Sequence, residues 1–338
     1  MSKWYINAGP DNDVAISVRI RLARNIAGFP FPIRLDIAQK RRINELVRDA
    51  VINDKDMNTD NYRYIEMDQL TTAEAYAMVE RHIISPDFAE NREGRALLLL
   101  NDESVSIMLN EEDHIRLQVM TPGLSLHEAY EMADKIDGIL DKKIQCAFDE
   151  KLGYLTQCPT NLGTGMRASI MLHLPALEAC GAVNQLSTTV SKIGLTLRGT
   201  FGEGSQAKGA MYQLSNQVTL GISEQAAIEN LKSITEQVME KERNARQSFL
   251  LREVLEDKVW RAYGVLKNAR LLSGEEFMDL ISAVRLGVCL SILNHIKLET
   301  VNELIATAGA ANLQTRAGET LEPTVRDRQR AEYIREKL

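Results

Sequence analysis

The sequence has no apolar run approaching the 18 or more residues of a membrane-spanning helix. Its longest obvious one, Ala96-Leu97-Leu98-Leu99-Leu100, has the length of a strand. Met1-Ser2-Lys3-Trp4 opens no apolar segment of signal-peptide type, so a cytosolic protein without a membrane role is expected. The four cysteines, Cys146, Cys158, Cys180 and Cys289, show no C-x-x-C spacing, which argues against both a zinc site and a disulfide framework. Neither G-x-x-x-x-G-K-S/T nor a convincing dinucleotide fingerprint occurs, so a phosphate site here would have to rely on arginines. Excess positive charge is missing too. The formal net charge is −7, which gives no bulk attraction for nucleic acid. Internal repeats and low-complexity segments are absent.

What remains is a globular chain of 338 residues, long enough for one large domain or two. Val14, Ile16, Val18, Ile20 and Leu22 alternate with residues that include Arg19 and Arg21. That period of two predicts a strand with one buried face and one face carrying two arginines. Asp36 caps a helix through Ile43, Val47 and Val51, and Thr71-Thr72-Ala73-Glu74 is a capping box opening a second helix towards His82. Arg95–Leu100 and Ser104–Leu109 read as a hairpin, Ile115–Thr121 as another strand, and Ser125 opens a helix to about Leu140. Further strands are expected near Met166–His173, Leu195–Gly199 and Met211–Asn216. From Ser223 onwards only helical periodicity appears, in Ser223–Arg246, Ser248–Leu272, Glu275–Ile292, Glu299–Ala308 and Thr324–Lys337. The expected fold is therefore α+β: an antiparallel sheet with flanking helices over residues 1–246, then an all-helical tail over 247–338.

Three stretches carry chemistry. Asn110-Glu111-Glu112-Asp113-His114-Ile115-Arg116 places three acids at the end of an apolar strand, an expensive arrangement unless a cation compensates it. A cationic substrate would do so. His114 suits a structural hydrogen-bonding role better than a catalytic one. Gln157-Cys158-Pro159-Thr160-Asn161-Leu162-Gly163-Thr164-Gly165-Met166-Arg167 is a Pro/Gly-rich loop able to approach a ligand through its backbone. Arg198-Gly199-Thr200-Phe201-Gly202-Glu203-Gly204-Ser205-Gln206 is a glycine-broken loop suited to covering a site. Arg19, Arg21, Arg116, Arg167 and Arg198 each fall on or beside an expected strand. Guanidinium groups bind phosphate oxygens bidentately and stay charged, so the five together could hold a nucleoside triphosphate.

At these residues the sequence resembles the phosphagen kinases, the ATP:guanidino phosphotransferases such as arginine and creatine kinases. Asn-Glu-Glu-Asp-His at 110–114 and Cys-Pro-Thr-Asn-Leu-Gly-Thr at 158–164 are similar to that family's two signatures, in the same order and at a fitting separation. The resemblance spans about residues 14–245 and implies a glutamine-synthetase-like catalytic domain. The resemblance goes further, to the bacterial protein arginine kinases of the family. Only 13 residues precede Val14, where other phosphagen kinases carry a helical domain, and Arg326-Asp327-Arg328-Gln329-Arg330-Ala331 resembles a phosphoarginine-binding R-D-x-x-R-A motif. Both features fit an arginine presented on a protein surface.

By matching motifs, the resemblance implies nucleotide contacts from Ser17, Val18, Arg19, Ile20, Arg21, His82, Arg116, Arg167, Ala168, Ser169, Ile170, Met171, Arg198, Gly199, Thr200, Phe201, Gly202 and Glu203. Glu112 would orient the target guanidinium and accept its proton, with Glu111 beside it and Cys158 in the same pocket as an oxidation-sensitive thiol. Two departures stand out. Phe201 replaces a phosphate-binding arginine of the small-molecule kinases, and Gln206 replaces a second substrate-binding glutamate, which leaves Glu203 as the better local acid. Arg326, Asp327, Arg330 and Ala331 would bind phosphoarginine. ATP and Mg²⁺ are the implied cofactors. The implied partners are proteins with accessible arginines (a stress-gene repressor among them), a zinc-binding activator protein, the Clp chaperone-protease system, and a second copy of the chain docked through the helical tail. The alternatives are a kinase for free arginine or another small guanidino compound, and a catalytically idle phosphoarginine-binding adaptor.

Overall fold

The computed structural model describes residues 2–54, 61–199, 207–248 and 252–338. Strand β1 (Ala15–Arg24) is the axis of the fold. Helix α1 (Ile37–Ile52) starts where Asp36 and Gln39 form a reciprocal capping box, with the Gln39 N–H donating to the Asp36 carboxylate at 2.8 Å. Strand β2 (Tyr62–Glu66) precedes α2 (Thr72–Glu80), whose Thr71–Glu74 capping box satisfies two orphan donors. A short α3 (Pro86–Glu90) leads into β3 (Ala96–Leu100), β4 (Val105–Leu109) and β5 (Ile115–Pro122), then α4 (Leu126–Lys143). The small pair β6 (Phe148–Asp149) and β7 (Gly153–Tyr154) precedes β8 (Met166–His173), α5 (Pro175–Ala179), α6 (Val183–Ser191), β9 (Leu195–Gly199) and β10 (Met211–Asn216).

The described strands form an eight-stranded antiparallel sheet in the order β2-β3-β4-β5-β1-β8-β10-β9. The period of two in β1 decides what each face does. Val18, Ile20 and Leu22 are buried with Leu117, Val119, Ala168, Ile170 and Leu214 in one core. Helices α1 and α4, and α7 (Glu224–Ser248), cover that face. Each such aliphatic side chain stabilises the fold by about 1.5–3 kcal/mol. A smaller core under α2 and α3, with Phe88, Leu97, Leu99 and Met108, covers the opposite face only beneath β3 and β4. The middle of that opposite face, over β5, β1, β8 and β10, lies outside both cores.

The tail continues with α8 (Arg252–Asn268), α9 (Gly274–Cys289), α10 (Leu298–Thr307), α11 (Ala310–Ala317) and α12 (Pro323–Lys337). Val259, Leu266, Ile281, Leu304 and Ile334 belong to its own core. Polar contacts pin the tail to the sheet half. The Glu80 carboxylate, at the end of α2, accepts the first free N–H groups of α11 from Ala311 (2.8 Å) and Asn312 (2.9 Å). The fully buried Arg285 donates to the Asn12 backbone oxygen at 2.6 Å and side chain at 2.8 Å, and to Asn302 at 2.5 Å. His173 and Ser282 meet at 2.8 Å across the same seam. Among the described residues no helix is long and apolar enough to cross a membrane.

Candidate active site

Strand register assembles the arginines. Arg21 lies opposite Arg167 and Gln118, Arg19 opposite Ser169, Ala23 opposite Arg116, and Gln213 opposite Arg198. Directly opposed residues share a face, so Arg19, Arg21, Arg116, Arg167 and Arg198 floor one side of the sheet where the covering helices stop. Of the carried-over set, Val18, Ile20, Ala168 and Ile170 have side chains fully buried on the other face, so only their backbone is available on this side. Ser17, Ser169 and Met171 share the arginine face, and Gly199 ends β9. Thr200, Phe201, Gly202, Glu203 and Gln206 lie outside the described residues.

This floor is electrostatically unfinished. Burial, with Arg116 nearby, pulls Arg19 down to about 10. Burial and three neighbouring guanidiniums, those of Arg19, Arg116 and Arg167, hold Arg21 well below its ordinary value. Arg167 is lowered by burial and then by Arg198. The Arg21 Nε is buried with no hydrogen-bond partner. Cations packed together with an orphaned donor fit a polyanion such as a triphosphate. Arg19 is aimed by Ser169 (3.3 Å) and Gln213 (2.6 Å), and Arg167 by Asn161 and Thr160, both at 3.1 Å.

The acids stand at one end of the floor. Asn110 turns the chain with φ +61 and donates to Asn44, Lys40 and Gly94, which fixes the start of the motif. Glu111 is buried, ion-paired to Arg116 and hydrogen-bonded by Ser85. Burial alone would raise its carboxyl, but Arg116 and Ser85 outweigh that and keep it low. Its oxygens are thus committed to positioning Arg116. Asp113 accepts from Asn25 (2.6 Å) and from the Gln157 N–H (2.8 Å), tying the acidic motif to the 157–165 loop. His114 Nδ1 accepts the Ile26 N–H at 2.9 Å, which leaves Nε2 to donate to the Pro30 carbonyl at 2.8 Å. A neutral imidazole does both, and burial lowers its pKa accordingly. His114 is therefore structural.

Glu112 differs from its neighbours. It is exposed at the rim of a cavity of about 600 Å³ lined by Arg21, Arg116, Cys158, Asn161, Arg167 and Arg198, among others. Burial of its carboxyl, then repulsion from Asp113, raises its pKa, and a hydrogen bond from the Cys158 thiol partly opposes the shift. Cys158 also lies 3.1 Å from the Thr160 hydroxyl. The loop that presents it is held by close backbone approach. Gly163 sits at φ +102, and a Cβ there would lie 2.2 Å from the Thr219 carbonyl oxygen, so only glycine fits. The Thr219 hydroxyl bonds the Thr160 (3.0 Å) and Leu162 (2.7 Å) carbonyls.

A neck of about 270 Å³ continues from this cavity along the arginines, lined also by His82, Ser85, Gln118 and Gln213. His82 follows α2 with φ +59 and its pKa is pushed down to about 4 by burial and by Arg19. The neck meets a chamber of about 470 Å³ whose far side contains Arg326, Asp327 and Arg330. Arg330 is buried and committed to the Ala308 (2.9 Å) and Leu272 (2.8 Å) carbonyls and to Asp327 (2.6 Å). Ala331 is packed in the tail core, while Arg326 keeps a buried Nε without a partner. Sequence reasoning missed Gln213 and Ser215. Both occupy alternate positions of a strand that was expected, so its period could have marked them. It also missed Arg24, whose bidentate pair with Asp137 (3.0 and 2.7 Å) and stacking on Tyr154 brace β1 against α4.

The family model for the ATP:guanido phosphotransferase C-terminal catalytic domain matches residues 42–245. Its fold is the one found here: the structure is similar to that of lombricine kinase (TM-score 0.61, 23% identity, covering 72% of this chain and 70% of that one). It is also similar to the duplicated taurocyamine kinase from Schistosoma mansoni with bound transition state analog components (TM-score 0.63, 24% identity, covering 74% of this chain and 37% of that one). A model for the protein-arginine kinase McsB C-terminal domain matches residues 252–338. The protein-arginine kinase of Caldanaerobacter subterraneus subsp. tengcongensis is 46% identical over 97% of this chain and 98% of that protein. That of Halothermothrix orenii is 44% identical over 100% and 97%. The chain belongs to the protein-arginine kinase family of the ATP:guanido phosphotransferases.

Proposed function

We propose that this chain transfers the γ-phosphoryl group of ATP to arginine side chains of proteins, giving ADP and protein phosphoarginine. The observation that carries the reading is the exposed Glu112 carboxylate next to a floor of arginines with an orphaned Arg21 donor. The names of the near full-length relatives supply the protein acceptor.

An incoming guanidinium meets Glu112, which pairs with the cation and aligns one nitrogen with the γ-phosphorus. As the N–P bond forms and the bond from phosphorus to the β–γ bridging oxygen breaks, the nitrogen's proton passes to Glu112. The raised pKa of Glu112 favours that acceptance, since a stronger base takes the proton more readily. Arginine is a poor nucleophile because its lone pairs are delocalised and its pKa is high. Positioning and charge neutralisation therefore supply most of the rate. Arg21, Arg116, Arg167 and Arg198 bind the phosphoryl oxygens, and loss of one such contact is expected to cost roughly 10³-fold in rate. Mg²⁺ carried on the nucleotide's phosphates would add positive charge to that of the arginines. Cys158, whose thiol donates a hydrogen bond to Glu112, lines the acceptor end.

In the tail we assign phosphoarginine binding to Arg326 and Asp327, with Arg330 as their brace. Trp260, Val254 and Val265 are exposed apolar positions on α8 and suit a homodimer contact. Clients with accessible arginines, including a stress-gene repressor and substrates of the Clp protease, and a zinc-binding activator belong to the same reading, as does a cytoplasmic location. The test is incubation with ATP and Mg²⁺ plus either an unfolded protein or free arginine, with phosphoarginine read by mass spectrometry under non-acidic conditions. Phosphoarginine on protein supports the reading. Transfer to free arginine alone assigns the chain to small-molecule kinases.

A further inference from the structure

The phosphate neck is lined by a hydroxyl that the reaction as described leaves without a task, that of Ser85. Ser85 caps α3, and its Oγ accepts the Phe88 N–H at 3.1 Å. The same oxygen donates its proton to one oxygen of the Glu111 carboxylate, whose other oxygen accepts from the Arg116 guanidinium. A hydroxyl carries one donor and two acceptor sites, so the two bonds coexist. Capping needs only the acceptor, and an ionised aspartate would supply it as well as serine does. Only the bond to Glu111 calls for a proton. The turn carrying Ser85 is held by other bonds. Gln118, two residues beyond Arg116 on β5, donates to the His82 and Ile83 carbonyls at 2.8 and 3.0 Å, and the Ser106 hydroxyl donates to that of Ile83 at 2.8 Å. Arg95 donates to the Asn110 carbonyl (2.9 Å) and the Asp87 carbonyl (2.6 Å), which ties α3 to the start of the acidic motif.

We propose that Ser85 is a positioning residue for phosphoryl transfer: its hydroxyl fixes one oxygen of Glu111, so that the other holds the Arg116 guanidinium on the phosphate floor. The proposal rests on the reaction and the arginine contacts proposed above. Glu111 is 5% exposed, so a lost donor leaves one of its oxygens short of a partner where little water can reach. The charges facing that carboxyl are Arg116 from β5 and Arg21 from β1, with Glu112 and Asp113 beside it in the motif. Ser85 adds a neutral donor that favours the ionised form. Without it Glu111 takes up a proton at a higher pH, and a neutral Glu111 no longer pairs with Arg116. The guanidinium then loses its fixed direction towards the phosphoryl oxygens.

The test compares Ser85→Gly, Ser85→Asp and Ser85→Thr in the whole chain, with kcat/KM for Mg²⁺–ATP measured on an unfolded acceptor protein across pH. Glycine is tolerated at an N-cap almost as well as serine, so Ser85→Gly removes the hydroxyl with little effect on α3. Ser85→Asp keeps the cap but has no proton to give, and Ser85→Thr keeps both functions. The glycine and aspartate variants are expected to lose roughly 10–100-fold in kcat/KM, the size of a lost hydrogen bond to a charged group, and the threonine variant to stay within about 3-fold of wild type. The deficit of Ser85→Gly relative to wild type should widen as pH falls, a ratio in which the titrations of ATP and Glu112 cancel. Ser85→Asp working at the wild-type rate would make the cap the whole role of Ser85 and overturn the proposal. A glycine deficit that is the same at every pH would also overturn it, because Glu111 would then not be the group affected. If glycine impairs folding, the contrast between aspartate and threonine decides alone. A wild type that forms no phosphoarginine on protein overturns the proposed reaction and this proposal with it, whereas an active wild type with the contrary variants overturns the proposal alone.

Discussion

A guanidinium that loses water and gains like-charged neighbours is held at an energetic loss, and Arg21 stands in that position, with its Nε unpartnered. Arg21→Met keeps an unbranched apolar stem and removes the charge and its repulsion. It is expected to raise the melting temperature of the ligand-free protein by a few degrees, to abolish the stabilisation given by ADP, and to lower the rate roughly 10³-fold. Differential scanning fluorimetry with and without ADP checks the first two expectations. Glu112 sets the pH response. Its pKa is raised, and only the ionised carboxylate can accept a proton, so kcat falls as pH drops through that raised value and is retained above it. A profile with no acid limb above the ordinary carboxylate range contradicts this. At the same scale the sequence was readable where motif and spacing coincide. Glu112, Cys158, Arg21, Arg116, Arg167 and Arg198 line one cavity, and Arg19 lines the neck that adjoins it. The division of labour between Glu111 and Glu112 was not readable, because it depends on Ser85 and Arg116 arriving from other elements.

Helices and strands declared themselves to the extent that their own residues satisfy their ends and faces. The Asp36–Gln39 and Thr71–Glu74 boxes and the alternation in β1 are local and were legible. Strand β2, α3, the β6–β7 pair, α5, α6 and α11 were not. They are short, α6 and α11 begin without a side-chain cap, and β2 is a half-exposed edge strand with weak alternation. Contacts between elements carry two predictions. Asp137→Ala removes the bidentate partner of the buried Arg24 guanidinium, leaving only Glu224 at 3.7 Å, and is expected to cost up to about 3–5 kcal/mol in urea unfolding. The second concerns His173 on β8. Burial, then Arg285 and Arg246, keep it neutral well below the ordinary histidine value of 6.5. An unfolded histidine takes up a proton below that value and the folded one does not, so stability is full above pH 6.5 and declines as pH falls beneath it. His173→Gln should flatten that decline by up to about 1.4 kcal/mol per pH unit. An unchanged slope would show that His173 is protonated in the native state.

Across the whole molecule, the seam between sheet and tail was invisible to sequence patterning, since Glu80 and Asn312 are 232 residues apart. The close approach at Gly309 shows how tightly it is fitted. A Cβ there would lie 2.3 Å from a Glu80 oxygen already accepting backbone N–H groups. Gly309→Ala is therefore expected to cost roughly 1–3 kcal/mol in stability, as displacing a half-buried carboxylate from the N–H groups it accepts does, which thermal unfolding checks. On the proposed reading, the sheet face is charge-divided, with arginines for the nucleotide and one exposed acid for the acceptor. The most direct test of that reading is phosphoarginine formation on an unfolded protein, measured by mass spectrometry under non-acidic conditions for wild type and Glu112→Gln, with ADP affinity measured in parallel. The expected result is a fall in rate of roughly 10²–10⁴-fold with ADP affinity unchanged. Phosphoarginine formed at the wild-type rate by Glu112→Gln would contradict the account.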